Sequence, residues 1–344
     1  MFTGSWSKKR AGGFRPRLAV VLLVASASAC GARADEPLPS WKPGVAKSAV
    51  LDFVAAVTDE DSPAFVPAAE RVAVFDNDGT LWPEKPYYFQ LQFAIDRVKS
   101  LAPNRPEWRE RPAIQAAIRG DMAALAESGH AGVAELVMAS HAGMTTDEFA
   151  AAVRGWFATA RHPRFDRPYN ELTYLSMLEV LRYLRSHGFK TYIVSGGGVE
   201  FLRVFAEDAY GIPPEQVIGS TIKTRFEFRK GKPVLARLAE IDFVDDKAGK
   251  PVAINRHIGR RPIAAFGNSD GDLQMLQWTA AGAGRRLCVL VHHTDAQREW
   301  AYDRESAVGK LDKAIDEAAA NGWTFADMKQ DWAAVFSTGK AGEE

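Results

Sequence analysis

The stretch "VFDNDGTLW" at residues 74–82 places two acidic residues, Asp76 and Asp78, between an apolar run and a glycine. Like charges this close repel each other, and a surface turn needs at most one of them. The pair therefore indicates a site whose ligand favours negative charge, and the rest of the chain narrows the choice of ligand.

Four apolar runs of four or five residues predict parallel strands that are buried on both faces. They are Val72–Phe75, Thr191–Val194, Ile263–Phe266 and Leu287–Val291. Three of them end in polar or glycine-rich turns, "DNDGT", "SGGG" and "GNSDGD", and helical stretches separate them. This order predicts an α/β fold with a doubly wound, mainly parallel sheet. Ligands bind beyond the carboxyl ends of such strands, where the three turns would converge.

Helix patterns fill most of the remaining chain. Apolar spacing predicts helices over Ala46–Val57 and Glu171–Ser186, the second with Gly188 as its C-cap. Pro112–Ser128 is rich in helix formers, and Thr145–Glu148 offers a capping box. The predicted divisions are a signal peptide at 1–34, an N-terminal helix and the start of the core at 35–86, an inserted α-helical cap at 87–165, and the rest of the core at 166–344 with a β-hairpin near 220–240.

The N-terminal segment has the pattern of a secretory signal. Residues 1–34 contain six of the 43 basic residues and none of the 43 acidic ones, and Leu18–Ala29 is an apolar run too short to span a bilayer. Cleavage after Ala34 would give a periplasmic or secreted protein. The alternative is a lipoprotein modified at Cys30, and we expect membrane contact only in that case. The remaining chain is mildly acidic, which gives no electrostatic reason to bind nucleic acid.

A phosphate ester and Mg²⁺ would together explain the acidic pair. Mg²⁺ prefers carboxylate, carbonyl and water oxygens, and phosphoester hydrolysis needs both charge neutralisation and a nucleophile. Asp76 could bind the metal and attack phosphorus, while Asp78 could protonate the leaving oxygen. Ser195, with the glycines that follow it, offers a hydroxyl and backbone N–H groups to the phosphoryl oxygens.

The motifs "FDNDGT", "VSGGG", a lysine that opens a helix, and "GNSDGD" occur in the order found in one hydrolase superfamily. The chain resembles the haloacid dehalogenase (HAD) superfamily, in particular phosphoserine-phosphatase-like members with a type 1 helical cap. The resemblance implies a Rossmann-like core, an aspartyl-phosphate on Asp76, and Asp78 as general acid/base with its backbone carbonyl on Mg²⁺. It also implies that Ser195 and Gly196 hold the phosphate. Dehalogenating relatives lack the second acid, so Asp78 favours a phosphatase.

Two assignments within the resemblance stay open. The phosphate-binding lysine is Lys247 or Lys250, and we favour Lys250 because Lys250–Pro251 has the pattern of a helix start with Pro at the first position. In the fourth motif, Asn268 stands where the superfamily usually has an aspartate. We predict Asn268 and Asp272 as metal ligands beside Asp76 and Asp78, with Asp270 as an alternative.

The sequence thus predicts an exported, Mg²⁺-dependent phosphomonoesterase that acts on a small phosphorylated metabolite through Asp76. A phosphotransferase or mutase that uses the same intermediate is an alternative. A catalytically weak, ligand-binding envelope protein is another, and Asn268 is the feature that favours it.

Overall fold

Seven strands form one sheet, with Val72–Phe75 in its middle. The computed structural model describes Met1 and residues 36–337. The predicted signal peptide beyond Met1, the cleavage after Ala34 and the lipidation at Cys30 therefore lie outside the described residues. The strands are β1 Val72–Phe75, β2 Lys190–Gly198, β3 Val217–Arg229, β4 Lys232–Phe243, β5 Ala264–Gly267, β6 Leu287–His292 and β7 Thr324–Asp327. Their spatial order is β4-β3-β2-β1-β5-β6-β7. All neighbours run parallel except β3 and β4, which form an antiparallel hairpin.

Helices surround this sheet. They are α1 Val45–Thr58, α2 Phe89–Leu101, α3 Pro112–Arg119, α4 Met122–Glu127, α5 Gly129–His141, α6 Thr146–Thr159, α7 Leu175–Ser186, α8 Val199–Leu202, α9 Ala206–Tyr210, α10 Gly249–His257, α11 Leu273–Ala280, α12 Lys313–Asn321 and α13 Met328–Asp331. In the part of the chain that the structure describes, no helix combines the length and the apolar character needed to cross a membrane.

The central strand β1 contributes to two hydrophobic cores. All four of its residues are buried. Ala73 and Phe75 pack in one core with α1 and α7, and Phe75 stacks on Phe266 with ring centroids 4.3 Å apart. Val72 and Val74 pack in the other core with α10, α11 and α12. Because side chains alternate along a strand, this requires apolar residues at every position of β1. The predicted doubly wound α/β fold is confirmed.

Residues between β1 and β2 are mainly helical, as the sequence predicts, and α2, α3 and α5 share an apolar cluster of their own. The predicted capping box is present, since the Thr145 hydroxyl accepts from the Glu148 backbone N–H and the Glu148 carboxylate accepts from that of Thr145. Pro112–Ser128 is two helices rather than one. Gly120 adopts a left-handed conformation and ends α3, and the Asp121 side chain caps α4. The cap boundaries 87–165 stay a prediction.

Three further details differ from the sequence-based prediction. Helix α7 begins at Leu175 and not at Glu171, which lies in a short 3₁₀ turn. Helix α10 begins at Gly249, so Pro251 occupies its third position and not its first. Both errors concern where a helix begins, which local sequence specifies only to within a few residues. The sheet also ends in β7, which was not predicted because its sequence "TFAD" is short and partly polar.

Candidate active site

The three polar turns meet at the carboxyl edge of the sheet. Asp76 follows β1, Ser195 lies near the end of β2, and the turn at 267–272 follows β5. These strands are neighbours, with β1 between the other two. The backbone N–H of Asp76 donates to the carbonyl of Phe266 at 2.9 Å. This hydrogen bond between the ends of β1 and β5 holds Asp76 next to the turn that follows β5.

Lys250 connects the two acids that follow β1 and β5. Its ammonium lies 2.7 Å from Asp76 Oδ1 and 2.5 Å from Asp272 Oδ1, and all three side chains are buried. Burial alone would lower the pKa of Lys250, but the charges of Asp272 and Asp76 outweigh it and raise that pKa above its ordinary value. Lys247 is exposed, so the structure places Lys250 and not Lys247 beside Asp76.

The carboxyl of Asp78 has a hydrogen-bond donor from the same stretch of sequence. Trp82 Nε1 donates to Asp78 Oδ1 at 2.8 Å. Burial raises the pKa of Asp78 to about 6, despite this hydrogen bond. Burial also raises the pKa of Asp76, and the nearby charge of Asp272 raises it further. A carboxyl that is partly protonated near neutral pH suits proton transfer, and Asp78 meets this requirement.

The glycine-rich turn at the end of β2 is linked to two helices of the segment between β1 and β2. Ser195 is buried and its hydroxyl accepts from the backbone N–H of Gly197 at 3.1 Å. The next N–H, that of Gly198, donates to Gln90 Oε1 of α2 at 2.7 Å, and Gln90 Nε2 lies 3.1 Å from His141 Nε2 of α5. Burial lowers the pKa of His141 to about 3, so this ring is neutral and can accept from the Gln90 amide. The sequence did not indicate Gln90, because a single polar residue on a helix carries no motif.

A Cβ atom built on Gly197 would lie 3.3 Å from Ser195 Oγ and 3.7 Å from Asp78 Oδ2. This position therefore lies between the predicted phosphate-binding serine and the predicted acid. The structure thus brings Asp76, Asp78, Ser195 and Lys250 to one edge of the sheet, around a turn whose backbone N–H groups carry no side-chain bulk. That arrangement can surround an anion with a nucleophile, an acid and a lysine.

The comparison with known protein families agrees with this arrangement. Residues 73–277, well over half of the chain, match the haloacid dehalogenase-like hydrolase family. The chain belongs to this family. No curated protein matches its sequence.

Among solved structures, one shares the fold at low sequence identity, and others are less similar. A conserved protein of unknown function from Anaerococcus prevotii is 17% identical, with 85% of this chain and 95% of that one covered at a TM-score of 0.53. A protein of unknown function from Bordetella pertussis is 18% identical, with 75% and 99% covered at a TM-score of 0.48. A phosphoserine phosphohydrolase-like protein from Francisella tularensis is 16% identical, with 64% and 87% covered at a TM-score of 0.37. At these identities only the first likeness informs on structure, and it concerns the fold alone.

In this haloacid dehalogenase-like chain, Asn268 contacts an acid that the sequence did not single out. Asn268 Nδ2 donates to Glu84 Oε1 at 2.7 Å, and Asn268 Oδ1 accepts from the Thr80 hydroxyl at 3.2 Å. Tyr302 also donates to Glu84 Oε1, at 2.7 Å. Burial raises the pKa of Glu84 well above its ordinary value, and a bound cation would act in the opposite direction. Glu84 is the first acidic residue after "DNDGT", and this closeness to the motif is the one local signal in the sequence that could have indicated it.

The two acids of the fourth motif already have hydrogen-bond partners in this structure. Asp272 Oδ2 accepts from the backbone N–H groups of Asn268 and Ser269 at 2.9 and 3.0 Å, so both of its oxygens are engaged once Lys250 is counted. Asp270 Oδ1 accepts from backbone N–H groups at 312 and 314, at the start of α12. Asp272 therefore holds Lys250 in this structure, and its role as a metal ligand stays a prediction.

The remaining predicted ligands suit Mg²⁺, which enzymes of this family typically use. They are a carboxylate oxygen of Asp76, the backbone carbonyl of Asp78 and the side-chain carbonyl of Asn268, which are all hard oxygen donors. Within the described residues, Asp76 Oδ2 accepts no hydrogen bond, so one oxygen of that carboxylate is available to a metal. The described residues contain no cluster of three His, Cys, Asp or Glu side chains arranged for a metal, but this ligand set needs none, since two of its members are carbonyls.

Proposed function

We propose that this haloacid dehalogenase-like hydrolase is a Mg²⁺-dependent phosphomonoesterase that acts on a small phosphate ester through Asp76. The observation that carries the proposal is the contact of Asp76 with Lys250 at 2.7 Å, with Asp78 and Ser195 at the same edge of the sheet. A buried carboxylate beside a buried ammonium is suited to attack a phosphoryl group, because the ammonium offsets the negative charge that would repel the ester.

In the first step, one oxygen of the Asp76 carboxylate attacks phosphorus and the bond from phosphorus to the ester oxygen breaks. The leaving oxygen takes the proton of Asp78, whose pKa of about 6 keeps part of the population protonated near neutral pH. In the second step, Asp78 takes a proton from water, the water oxygen attacks phosphorus, and the bond to Asp76 breaks. Inorganic phosphate leaves and Asp76 is restored.

Other groups hold the transferred phosphoryl group during both steps. Ser195 and the backbone N–H of Gly196 would donate to its oxygens, and Lys250 would offset its charge. Mg²⁺, held by Asp76, the Asp78 carbonyl and Asn268, would add further neutralisation of the phosphoryl oxygens when bound. The link from Gly198 through Gln90 to His141 would keep the turn in the conformation that presents these N–H groups.

Export is a further part of the proposal. It is supported by the basic residues and the apolar run within 1–34 and by the small residues before Asp35. Fractionation of the source cells, with sequencing of the mature N-terminus, tests it. A chain that stays in the cytoplasm with residues 1–34 attached would contradict export and leave the phosphatase proposal untouched.

The decisive experiment measures phosphate release from a panel of phosphomonoesters, with Mg²⁺ or with chelator. We expect release that requires Mg²⁺, that Asp76→Asn abolishes, and that the control Glu305→Gln retains, because Glu305 is exposed and lies outside the motifs. Asp78→Asn should lower the rate by about 100- to 10,000-fold for alkyl esters. It should lower the rate much less for p-nitrophenyl phosphate, whose leaving group needs no proton.

Two outcomes would contradict the proposal. Undiminished release by Asp76→Asn would exclude Asp76 as the nucleophile. A phosphoryl group that appears on a second organic acceptor, with no free phosphate, would identify a transferase and not a phosphatase.

A further inference from the structure

Glu84 is a buried acid that the mechanism above does not use. It is 2% exposed, and its Oε1 accepts from two donors, the Asn268 amide and the Tyr302 hydroxyl. Within the described residues, no Lys, Arg or His side chain lies within ion-pair distance of it. The nearby Lys85 ammonium instead contacts the Ser306 hydroxyl at 2.5 Å and lies 4.3 Å from the centroid of the Tyr302 ring. The charges of Lys85 and Glu84 act on each other without direct contact. A buried carboxylate with no cation in contact is costly, so its position requires an explanation.

The backbone leaves room for this carboxyl on two sides. A Cβ atom at Gly79 would lie 2.7 Å from Glu84 Oε1, and one at Gly309 would lie 1.7 Å from it. Both glycines have positive φ angles, 77° and 67°, which other residues rarely adopt. Two separate loops are thus shaped to admit the Glu84 carboxyl next to Asn268.

The contact with Asn268 fixes the direction of the amide. Because Glu84 Oε1 accepts from Nδ2, the carbonyl oxygen of Asn268 must point the other way, where the Thr80 hydroxyl occupies one of its two lone pairs. A bound divalent cation favours the ionised form of Glu84, and a negative charge on the N–H side of an amide increases the negative charge on its carbonyl oxygen. Glu84 therefore sets the orientation of the Asn268 carbonyl oxygen and makes that oxygen a stronger metal ligand.

A count of charges shows why the site needs this acid. Of the proposed Mg²⁺ ligands, Asp76 alone contributes a charged oxygen, because Asp78 and Asn268 offer carbonyls. Lys250 adds a positive charge, which Asp272 offsets. A divalent cation would therefore meet only one uncompensated ligand charge from these groups.

We propose that Glu84 is a positioning residue of the cation site, and that its carboxylate supplies through the Asn268 amide the second negative charge that a divalent cation requires. This inference rests on the Mg²⁺ dependence proposed above and assigns a role to a residue outside the proposed ligand set. The hydrogen bond between Glu84 and Asn268 would thus take the place of a charged ligand at position 268.

The test measures Mg²⁺ binding to the full chain by titration calorimetry, without substrate. Glu84→Gln should weaken Mg²⁺ binding by about 10- to 100-fold, as loss of a group behind a metal ligand usually does. The double variant Glu84→Gln with Asn268→Asp should recover most of the loss, because it moves the charge onto the ligand itself. Glu305→Gln removes one unit of charge from an exposed position outside the motifs and should leave the affinity within about three-fold of the parent.

Several results would overturn the inference. One is a Glu84→Gln protein that melts cooperatively and binds Mg²⁺ as the parent does. Another is a weakened variant that Asn268→Asp does not rescue, since that would mark a purely structural role for Glu84. Absence of Mg²⁺ binding by the parent chain at millimolar metal would overturn it as well.

Asn268→Asp alone decides the question if Glu84→Gln does not fold. A site that already receives its charge from Glu84 should gain less than about three-fold in Mg²⁺ affinity, whereas a site that lacks the charge should gain about ten-fold or more. The two proposals also fail separately. Normal Mg²⁺ binding with no phosphate release would overturn the phosphatase alone, and Mg²⁺-dependent release with no effect of Glu84→Gln on binding would overturn this inference alone.

Discussion

Asp272 and Asp245 are two fully buried acids near the same lysine, and their surroundings are opposite. Asp272 accepts from the Lys250 ammonium, from two backbone N–H groups and, at 3.3 Å, from the Ser269 hydroxyl. Asp245 has only a weak donor among the described residues: the Ser195 backbone N–H acts on its carboxyl, but no described donor reaches either oxygen with full hydrogen-bond geometry. Burial raises the pKa of Asp245 to about 7, against the opposing effects of Lys250 and the Ser195 backbone.

The difference shows that hydrogen-bond donors and not burial decide how a buried acid behaves. Both side chains are 0% exposed, so desolvation alone does not separate them. The backbone around Asp245 is well placed, since its N–H donates to Ser220 Oγ at 2.9 Å and Ser220 in turn donates to the Gly196 carbonyl. That chain of contacts joins Asp245 to the predicted phosphate-binding turn, yet it satisfies the backbone and leaves the carboxyl without a well-formed hydrogen bond.

The largest effect expected from this comparison is on stability at neutral pH. Asp272→Asn removes one partner of a buried ion pair and should cost about 3–5 kcal/mol in the free energy of unfolding. Asp245→Asn makes the same chemical change near the same lysine and should cost less than about 1 kcal/mol, because it breaks no well-formed hydrogen bond. Urea unfolding followed by tryptophan fluorescence measures both. Equal costs for the two variants would refute the distinction.

The second effect is the pH dependence of the free energy of unfolding. An acid whose pKa rises on folding, here from 3.8 to about 7 for Asp245, binds more protons in the folded chain than in the unfolded one. Its contribution to stability is therefore complete below the lower value and is lost as the pH rises through this window. The charged groups that act on Asp245 are Lys250, which opposes the shift, and Asp246 and Asp272, which add to it.

Asp245→Asn removes this contribution, so the variant should gain stability relative to the parent as the pH rises. The expected gain is about 2 kcal/mol between about pH 5 and about pH 8. Urea unfolding of both proteins at the two pH values gives the difference, in which the other titrating groups cancel. A difference that does not change with pH would show that Asp245 is ionised throughout, and would require a donor near its carboxyl.

Local sequence patterns were sufficient for the fold and for the motif residues. A strand buried on both faces must be apolar throughout, and Val72–Phe75 is, so its bounds could be predicted. Asp76 and Asn268 follow strands directly and Ser195 lies near the end of one, so the order of strands places them at one edge, although their roles stay predictions. Lys250 could be favoured over Lys247 even though the predicted helix start was wrong by two positions.

Local patterns could not reveal Glu84 and Asp245, because the importance of each comes from distant contacts. Glu84 meets Asn268 across 184 residues of sequence and Tyr302 across 218. Asp245 lies beside Ser195 and Gly196 only because β3 and β4 return the chain to the end of β2. No spacing rule connects such positions, and in the sequence each of them resembles an ordinary solvated acid.

The smallest effect concerns the weakest donor to Asp272. Ser269→Ala removes the hydroxyl that lies 3.3 Å from Asp272 Oδ2 and that also accepts from the Gly271 N–H at 3.1 Å. Both backbone N–H groups and the Lys250 ammonium still hold the carboxylate, and water can reach the partly exposed Gly271. We therefore expect a loss of about 1 kcal/mol in the free energy of unfolding, well below that of Asp272→Asn. A loss as large as that of Asp272→Asn would mean that the donors act as one cooperative unit, and the contrast with Asp245 would then rest on the whole network.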